Sequence, residues 1–343
     1  MGHRARAGEA HESHCSHRPC GAFQLVASTS RVHSPTLGLS CPRLLRLHMA
    51  WCCDSGQSAC VNPVTYLRRH GGAARWKEMR AAGVPAKSLP QAVARGQIVR
   101  FHRGCYCLPN TPVPIRAAVL FRGQAACVSA LKLAGVALIE PVERPHVVLP
   151  MNRSLARPGI RPVEHAVIHY GNRGTALISD VASALDDAAS CLPALAHLCA
   201  VDSALHKGLV VFEELDQLWR NDPVRGAWLR RYHRANAESP AETLARYALE
   251  SAGFSTQVQA RVGPDGRRDL VVAGSIVIEV DGYSSHGDKK SFIADRQMDR
   301  ALRISGLDIL RFAAVEVFDD PTVVPRAVRA LLSERSARTM RPK

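Results

Sequence analysis

Three acidic residues near the C-terminus, Asp269, Glu279 and Asp281, have a spacing that would bring their carboxylates together. They lie in the segment RRDLVVAGSIVIEVDGYSSHG, whose two apolar runs predict a β-hairpin with a three-residue turn at residues 273–275. In that register Asp269 faces Glu279 across the two strands. Because side chains alternate along a strand, Asp281 projects on the same face as Glu279.

Opposed carboxylates repel one another, so their convergence calls for a neutralising partner. Mg²⁺ or Mn²⁺, which prefer oxygen ligands, is the natural candidate, and we expect Asp269 and Glu279 to bind it. The simpler alternative is that Asp269 and Asp281 are solvated strand ends and that a bulge shifts the register. Glu279 argues against that alternative, because it lies between IVI and Val, where an unpaired charge is costly.

Two further residues are candidates for the same site. Glu242 is the third residue of a helix predicted from SPAETLARYALESAG, which begins after Ser239. A glutamate at this position forms a capping box, so Glu242 is either a cap or a fourth acid of the site. His286 follows the second strand in a turn and is either an exposed loop residue or the general base that activates water.

The helix predicted from SFIADRQMDRALRISG carries arginines at positions i, i+4 and i+7, which form one basic face. Such a face suits phosphate groups, although Asp295 and Asp299 could instead pair with the arginines in an ordinary solvated stripe. The final predicted strand, DILRFAA, adds one more arginine. The predicted nucleic-acid contacts are Arg296, Arg300, Arg303 and Arg311.

The order of helix, three strands, helix and strand, with acids on the first helix and on the second and third strands, is similar to the PD-(D/E)XK nuclease core. More narrowly, DLVV…IVIEVDGYSSH…DRQMDRAL…G…ILRF resembles an endonuclease-like family grouped with the very-short-patch-repair endonucleases, over residues 242–318. The strand acids of that family match Asp269 and Glu279, its following acid matches Asp281, and its turn histidine matches His286. The resemblance implies a metal-dependent phosphodiesterase.

One departure from the nuclease motif concerns Asp281, which occupies the position of a lysine. The electrostatic role of that lysine would then pass to His286, Lys289, Arg296 or a second ion. Without such a substitute the domain would be a degenerate DNA-binding relic. Two functions therefore stay open, an endonuclease that hydrolyses phosphodiester bonds and a non-catalytic DNA-binding regulator.

Residues 61–112 have the outline of a winged helix. Helices are predicted around residues 75–82 and 87–95, and a basic hairpin, IVRFHRGCYCL, follows them and turns at Arg103–Gly104. Over residues 62–110 the chain resembles the N-terminal module of abortive-infection (AbiE-type) antitoxins. This resemblance implies DNA binding and makes the second function that of an antitoxin-like regulator.

The remaining sequence carries no comparable pattern. Residues 113–235 are predicted to be a mixed helical region that begins with one helix over 115–134, and their histidines are interpreted as ordinary surface or core residues. Residues 1–60 lack an apolar period and are predicted to be disordered, or to be read-through sequence ahead of a start at Met49. Their histidines and cysteines fit no standard zinc finger. The residues concerned are His165, His169, His197 and His206 in the first region and His14, Cys15, His17 and Cys20 in the second.

Composition agrees with a nucleic-acid partner. The 343 residues include 45 Lys plus Arg and 30 Asp plus Glu, and the resulting formal charge of +15 favours a polyanion such as DNA. With no run of eighteen apolar residues and no secretory signal, we expect a cytoplasmic protein without a membrane partner. Eleven cysteines, an odd number, argue against a disulfide framework. The expected fold class is α+β with several domains: a winged helix, a mixed α/β middle region, and a restriction-endonuclease-like α-β-β-β-α-β domain over 236–343.

Overall fold

The computed structural model describes six stretches of the chain, namely residues 61–152, 166–171, 174–218, 222–262, 267–282 and 289–339. The predictions made for residues 1–60, for His165 and for His286 lie outside these stretches. In the described part the chain is α+β, as expected, with helices interspersed among three small sheets. No helix in that part is both long and apolar enough to span a bilayer.

The N-terminal module contains three short helices and a three-stranded antiparallel sheet. Its strands run in the order β1-β3-β2, and the β2–β3 hairpin turns at Arg103–Gly104 as predicted. The first helix, which the sequence pattern does not define well, begins after Asn62, whose side chain accepts hydrogen bonds from two backbone amides. The elements are α1 (Pro63–Arg69), β1 (Ala73–Arg75), α2 (Trp76–Ala81), α3 (Ser88–Ala94), β2 (Val99–His102) and β3 (Cys105–Cys107).

The middle region combines a second small sheet with a group of helices. In this sheet β5 lies between β4, which is antiparallel to it, and β6, which is parallel. The elements are α4 (Val113–Phe121), β4 (Gln124–Ala125), α5 (Cys127–Leu133), β5 (His146–Leu149), β6 (Val167–Tyr170), α6 (Val181–Ala188), α7 (Ala194–His206), α8 (Phe212–Leu218) and α9 (Pro223–Tyr232).

The single helix predicted over residues 115–134 is wrong, because the chain breaks there into α4, β4 and α5. Arg122 adopts a left-handed conformation with φ of 57°, and Gly123 follows it. A Cβ atom on Gly123 would lie 2.3 Å from the backbone oxygen of Val148 in β5. The chain at Gly123 therefore lies directly against β5 and continues as the short strand β4. An apolar pattern cannot reveal this close approach of the two backbones.

The C-terminal region contains a four-stranded sheet of order β10-β9-β8-β7. Strands β7, β8 and β9 form an antiparallel meander, and β10 returns parallel to β9 after a helical crossover. The elements are α10 (Pro240–Ser251), β7 (Thr256–Arg261), β8 (Arg267–Val272), β9 (Ile276–Asp281), α11 (Lys289–Ile304), β10 (Asp308–Ala313), α12 (Ala314–Asp319) and α13 (Val323–Thr339).

Both faces of this sheet are buried. On one face Ile276 and Ile278 pack in a core that includes side chains of α10 and α13. On the other face Val271 and Val277 pack against Leu302 of α11. Sequence alternation predicts only the first of these cores. The second forms because the crossover helix α11 covers the opposite face.

Candidate functional site: a carboxylate cluster and a basic winged helix

The hairpin that carries the acidic residues has the predicted register. Val272 pairs with Ile276 and Leu270 pairs with Ile278, so the turn consists of residues 273–275. Ala273 and Gly274 both adopt left-handed backbone conformations, with φ of 50° and 66°. This turn fixes which residues of β8 and β9 lie side by side.

Asp269 does not simply oppose Glu279, as the sequence suggests. The regular pairing of β8 with β9 ends at Leu270, and beyond it Oδ2 of Asp269 accepts a hydrogen bond of 3.0 Å from the backbone N–H of Val280. One carboxylate oxygen thus continues the contact between the strands where the backbone ladder stops. Asp269 therefore has a structural task as well as a possible chemical one.

Glu279 is the most strongly perturbed acid of the hairpin. Burial, reinforced by the nearby charges of Asp269 and Asp281, raises the pKa of Glu279 to about 7, although Arg268 and Arg311 act in the opposite direction. Burial also raises the pKa of Asp269, against the hydrogen bond from Val280. Near neutral pH the Glu279 carboxyl therefore retains a proton part of the time unless a cation stabilises its charged form.

Glu242, at the start of α10, joins the same group of acids. Its side chain is only 5% exposed and accepts hydrogen bonds from the backbone N–H of Glu238, at 3.1 Å, and from Nε2 of Gln259, at 3.0 Å. Burial, together with the charge of Asp269, raises its pKa to about 7. Ser239 caps the helix as predicted. The reciprocal half of the predicted capping box is absent, because the Glu242 carboxylate accepts from Glu238 and not from Ser239. Its role as a fourth acid of the site stays a prediction, which its electrostatic coupling to Asp269 favours.

Gln259 of β7 is a site residue that the sequence does not reveal. Its amide donates to Glu242, and a hydrogen bond from Gln259 also lowers the pKa of Asp269. Its backbone has φ of 51°, which a non-glycine residue rarely adopts. A period-2 strand pattern gives no sign of this local irregularity, so Gln259 could not have been singled out.

Arg311 lies among the acids and not on the basic face of α11. In the parallel register of β9 and β10 it is the partner of Glu279. Its guanidinium contacts Asp281 at 3.4 Å and Asp299 at 3.0 Å. Asp299 is also 3.7 Å from Arg296, so part of the predicted basic face is paired with acids. Arg300 and Arg303 are exposed, and a phosphate contact by any of these four arginines stays a prediction.

A second candidate surface lies on helix α3 of the N-terminal module. Lys87, Gln91 and Arg95, spaced at i, i+4 and i+8, are exposed, whereas Leu89 and Ala92 are buried in the core of the module. Gln91 lies within α3, and Lys87 and Arg95 lie directly before and after it. Their spacing places the three polar side chains on one face.

The module is also strongly basic. Residues 61–112 contain nine Lys or Arg and one acidic residue, Glu78, which gives a formal charge of +8. Arg100 and Arg103, at the β2–β3 hairpin, are exposed as well. A basic helix face beside a basic hairpin is the arrangement with which winged helices contact DNA.

Comparison with known proteins gives a family match for the N-terminal module. Residues 63–109 match the family model described as "Transcriptional regulator, AbiEi antitoxin". This match confirms the resemblance that the sequence shows over residues 62–110, and it does not extend to the carboxylate cluster. No curated protein matches the chain. Among solved structures, the RV2827C protein from Mycobacterium tuberculosis is 16% identical, with a TM-score of 0.30, over 59% of this chain and 86% of that one.

Proposed function

We propose that this protein is a DNA-binding transcriptional regulator of the AbiE antitoxin type. The observation that carries the proposal is the exposed face of α3, with Lys87, Gln91 and Arg95, in a module of formal charge +8. The match of residues 63–109 to the AbiEi antitoxin family supports it. The second helix of a helix–turn–helix pair is the one that enters the major groove, and α3 follows α2 in that position.

The three exposed residues of this face suit different parts of a duplex. A glutamine amide can form two hydrogen bonds with the N6 and N7 atoms of adenine, so Gln91 is the candidate for base recognition. Lys87 and Arg95 flank it and suit phosphates. Arg103, at the tip of the hairpin, suits the backbone beside the groove.

Two single variants and one control test the proposal by fluorescence anisotropy. With duplexes selected from a random-sequence library, Gln91→Ala should relax the selected sequence preference, at a cost of about 1–3 kcal/mol on the preferred site. Lys87→Ala should weaken binding to all duplexes alike. Arg338→Ala, which removes an exposed arginine from the C-terminal helix, should change neither quantity. Equal loss for Lys87→Ala and Arg338→Ala, with no change for the uncharged Gln91→Ala, would mean that only net charge attracts DNA.

A second candidate function, a metal-dependent endonuclease, rests on the carboxylates. Its support is the raised pKa of Glu279 beside Asp269, in a region whose element order α10-β7-β8-β9-α11-β10 resembles that of the PD-(D/E)XK core. The donor set fits Mg²⁺ or Mn²⁺, because both prefer carboxylate oxygens. Asp269 and Glu279 would hold the ion, which when bound would polarise a phosphate and lower the pKa of water.

The surroundings supply the other components of such a site. Arg311 places a positive charge beside Glu279, its partner in the parallel register. It would take the role of the missing lysine, although the sequence did not suggest Arg311 as the substitute. Asp281, held by Arg311, or His286 would accept a proton from water. Plasmid nicking with Mg²⁺ or Mn²⁺ tests this function, with Glu279→Gln as the inactive variant and the exposed Glu334→Gln as its control. If the protein binds DNA but does not nick it with either metal, the nuclease function is excluded and the regulator function is retained.

A further inference from the structure

Four metal-ligating side chains meet in the middle region, far from the carboxylate cluster in sequence. One ligand atom from each of Cys127, His146, His169 and Cys191 lies within 4.8 Å of the others. His169, which the sequence suggests is an ordinary lone histidine, therefore lies beside three other potential metal ligands. Four elements supply the cluster: the start of α5, β5, β6 and the turn after α6.

The distances within the cluster match a tetrahedral metal site. Nδ1 of His146 lies 3.2 Å from Nε2 of His169, and that nitrogen lies 3.8 Å from Sγ of Cys191. On a tetrahedral Zn²⁺ with ordinary bond lengths, two imidazole nitrogens are about 3.3 Å apart and a nitrogen and a sulfur about 3.6 Å. A hydrogen bond between the imidazoles would explain the first distance alone, but not the approach of two thiols to the same point.

The backbone positions these side chains at some cost. Cys127 is fully buried at the start of α5 and has φ of 51°, a strained conformation for a residue with a side chain. Strain of this kind persists where the surroundings impose it, often at ligand sites. His146 and His169 lie diagonally on neighbouring parallel strands, since His146 pairs with Val167 and His169 with Val148.

We propose that Cys127, His146, His169 and Cys191 bind one Zn²⁺ ion in a closed, structural site. Two thiolates and two imidazoles are ligands typical of zinc, whereas Mg²⁺ and Mn²⁺ prefer the oxygen ligands of the carboxylate cluster. The two thiols release their protons to solvent on binding, so that two thiolates balance the charge of the ion. Four protein ligands leave no open position, so the ion joins β5 and β6 to the flanking helices and does not act on a substrate.

The experiment measures metal in the full-length protein, purified with reductant and without added chelator. We expect about one zinc ion per chain by elemental mass spectrometry, and a tetrahedral thiolate spectrum when Co²⁺ replaces it. Chelation should lower the melting temperature, and Zn²⁺ should restore it. Cys191→Ser, at an exposed position, should weaken zinc binding by more than the roughly 10–100-fold typical of losing an outer-shell partner.

Two controls separate this site from other cysteines and histidines. A variant in which His14, Cys15, His17 and Cys20 are all alanine should keep its zinc, and so should Cys199→Ser, which changes a buried cysteine outside the cluster. Protein that neither retains zinc nor takes up Zn²⁺ or Co²⁺ under reducing conditions would overturn the proposal. Zinc that is lost with the N-terminal variant but kept in Cys191→Ser would also overturn it, as would a Cys127–Cys191 disulfide in the reduced preparation.

Discussion

Arg246 of α10 and Asp202 of α7 form an ion pair of 3.0 Å that is almost completely buried, with side-chain exposures of 0% and 1%. The carboxylate of Asp202 also accepts hydrogen bonds from the hydroxyl of Thr243 and from the backbone N–H of Arg234. Arg246 contacts Glu250 one turn further along α10. The pair therefore connects the predicted middle region to the helix that presents Glu242.

Removing one member of this pair should destabilise the protein strongly. Asp202→Ala leaves the guanidinium of Arg246 buried without its main counter-charge, which typically costs about 3–5 kcal/mol. Urea unfolding followed by circular dichroism measures the loss. Glu334→Ala, which breaks an exposed pair with Arg338, should leave the midpoint unchanged. A small effect of Asp202→Ala would show that water reaches the buried arginine.

The carboxylate cluster should make the metal-free protein less stable as pH rises. The pKa values of Glu279 and Glu242 are raised from 4.5 to about 7, so the folded state binds more protons than the unfolded state between these values. Stability from these groups is complete below about pH 4.5 and is lost as pH rises through about 7.

Glutamine variants isolate this contribution from the other titrating groups. In EDTA, Glu279→Gln and Glu242→Gln should each become more stable relative to the parent as the pH is raised from 5 to 8. His197, whose pKa burial lowers to about 4, titrates equally in parent and variants and cancels in the comparison. A difference in stability that does not change with pH would mean that both glutamates ionise normally in the folded protein.

The two central acids should differ when each is changed to alanine in the absence of metal. Asp269→Ala removes the acceptor of the Val280 N–H, and an unsatisfied buried group costs about 1–3 kcal/mol. Glu279→Ala removes a buried carboxylate that is repelled by Asp269, so it should be neutral or stabilising. Thermal melting in EDTA makes the comparison, and Asp269→Asn, which keeps an acceptor, should recover most of the loss. Equal destabilisation by both alanine variants would contradict the assigned hydrogen bond.

Gly123 should tolerate no side chain. Its missing Cβ would lie 2.3 Å from the backbone oxygen of Val148, and overpacking of this kind costs about 1–3 kcal/mol or more. Gly174→Ala, at a position where a Cβ would meet nothing within 4 Å, is the matched control and should be neutral. The two melting temperatures decide the matter. If Gly123→Ala has the same melting temperature as the parent, the backbones at Gly123 and Val148 are further apart than in this structure.

The sequence predicts the local part of the carboxylate site and misses the part formed by distant elements. Alternation and turn length are enough to place the 273–275 turn and the pairing of Leu270 with Ile278. The contacts of Arg311 depend on the parallel return of β10 beside β9, and nothing in the spacing of DILRFAA specifies that neighbour. The hydrogen bond that the backbone N–H of Val280 donates to Asp269 forms where the β8–β9 ladder ends, and a side-chain pattern alone does not define that point.

The cysteine and histidine cluster shows the same limit more sharply. Its members are spaced 19, 23 and 22 residues apart, and no two lie on the same helix or strand. Local zinc motifs depend on ligand pairs separated by two to five residues, so such a search passes over this set. Only the parallel pairing of β5 with β6 brings His146 and His169 together.

Positive charge is unevenly distributed along the chain. Residues 61–112, about a sixth of the chain, hold eight of its fifteen excess positive charges. A polyanion attracts the most positive part of a diffusing protein most strongly, and so favours encounters in which that part faces it. If the partner is a DNA duplex, as proposed, encounters would favour orientations with the N-terminal module towards the duplex.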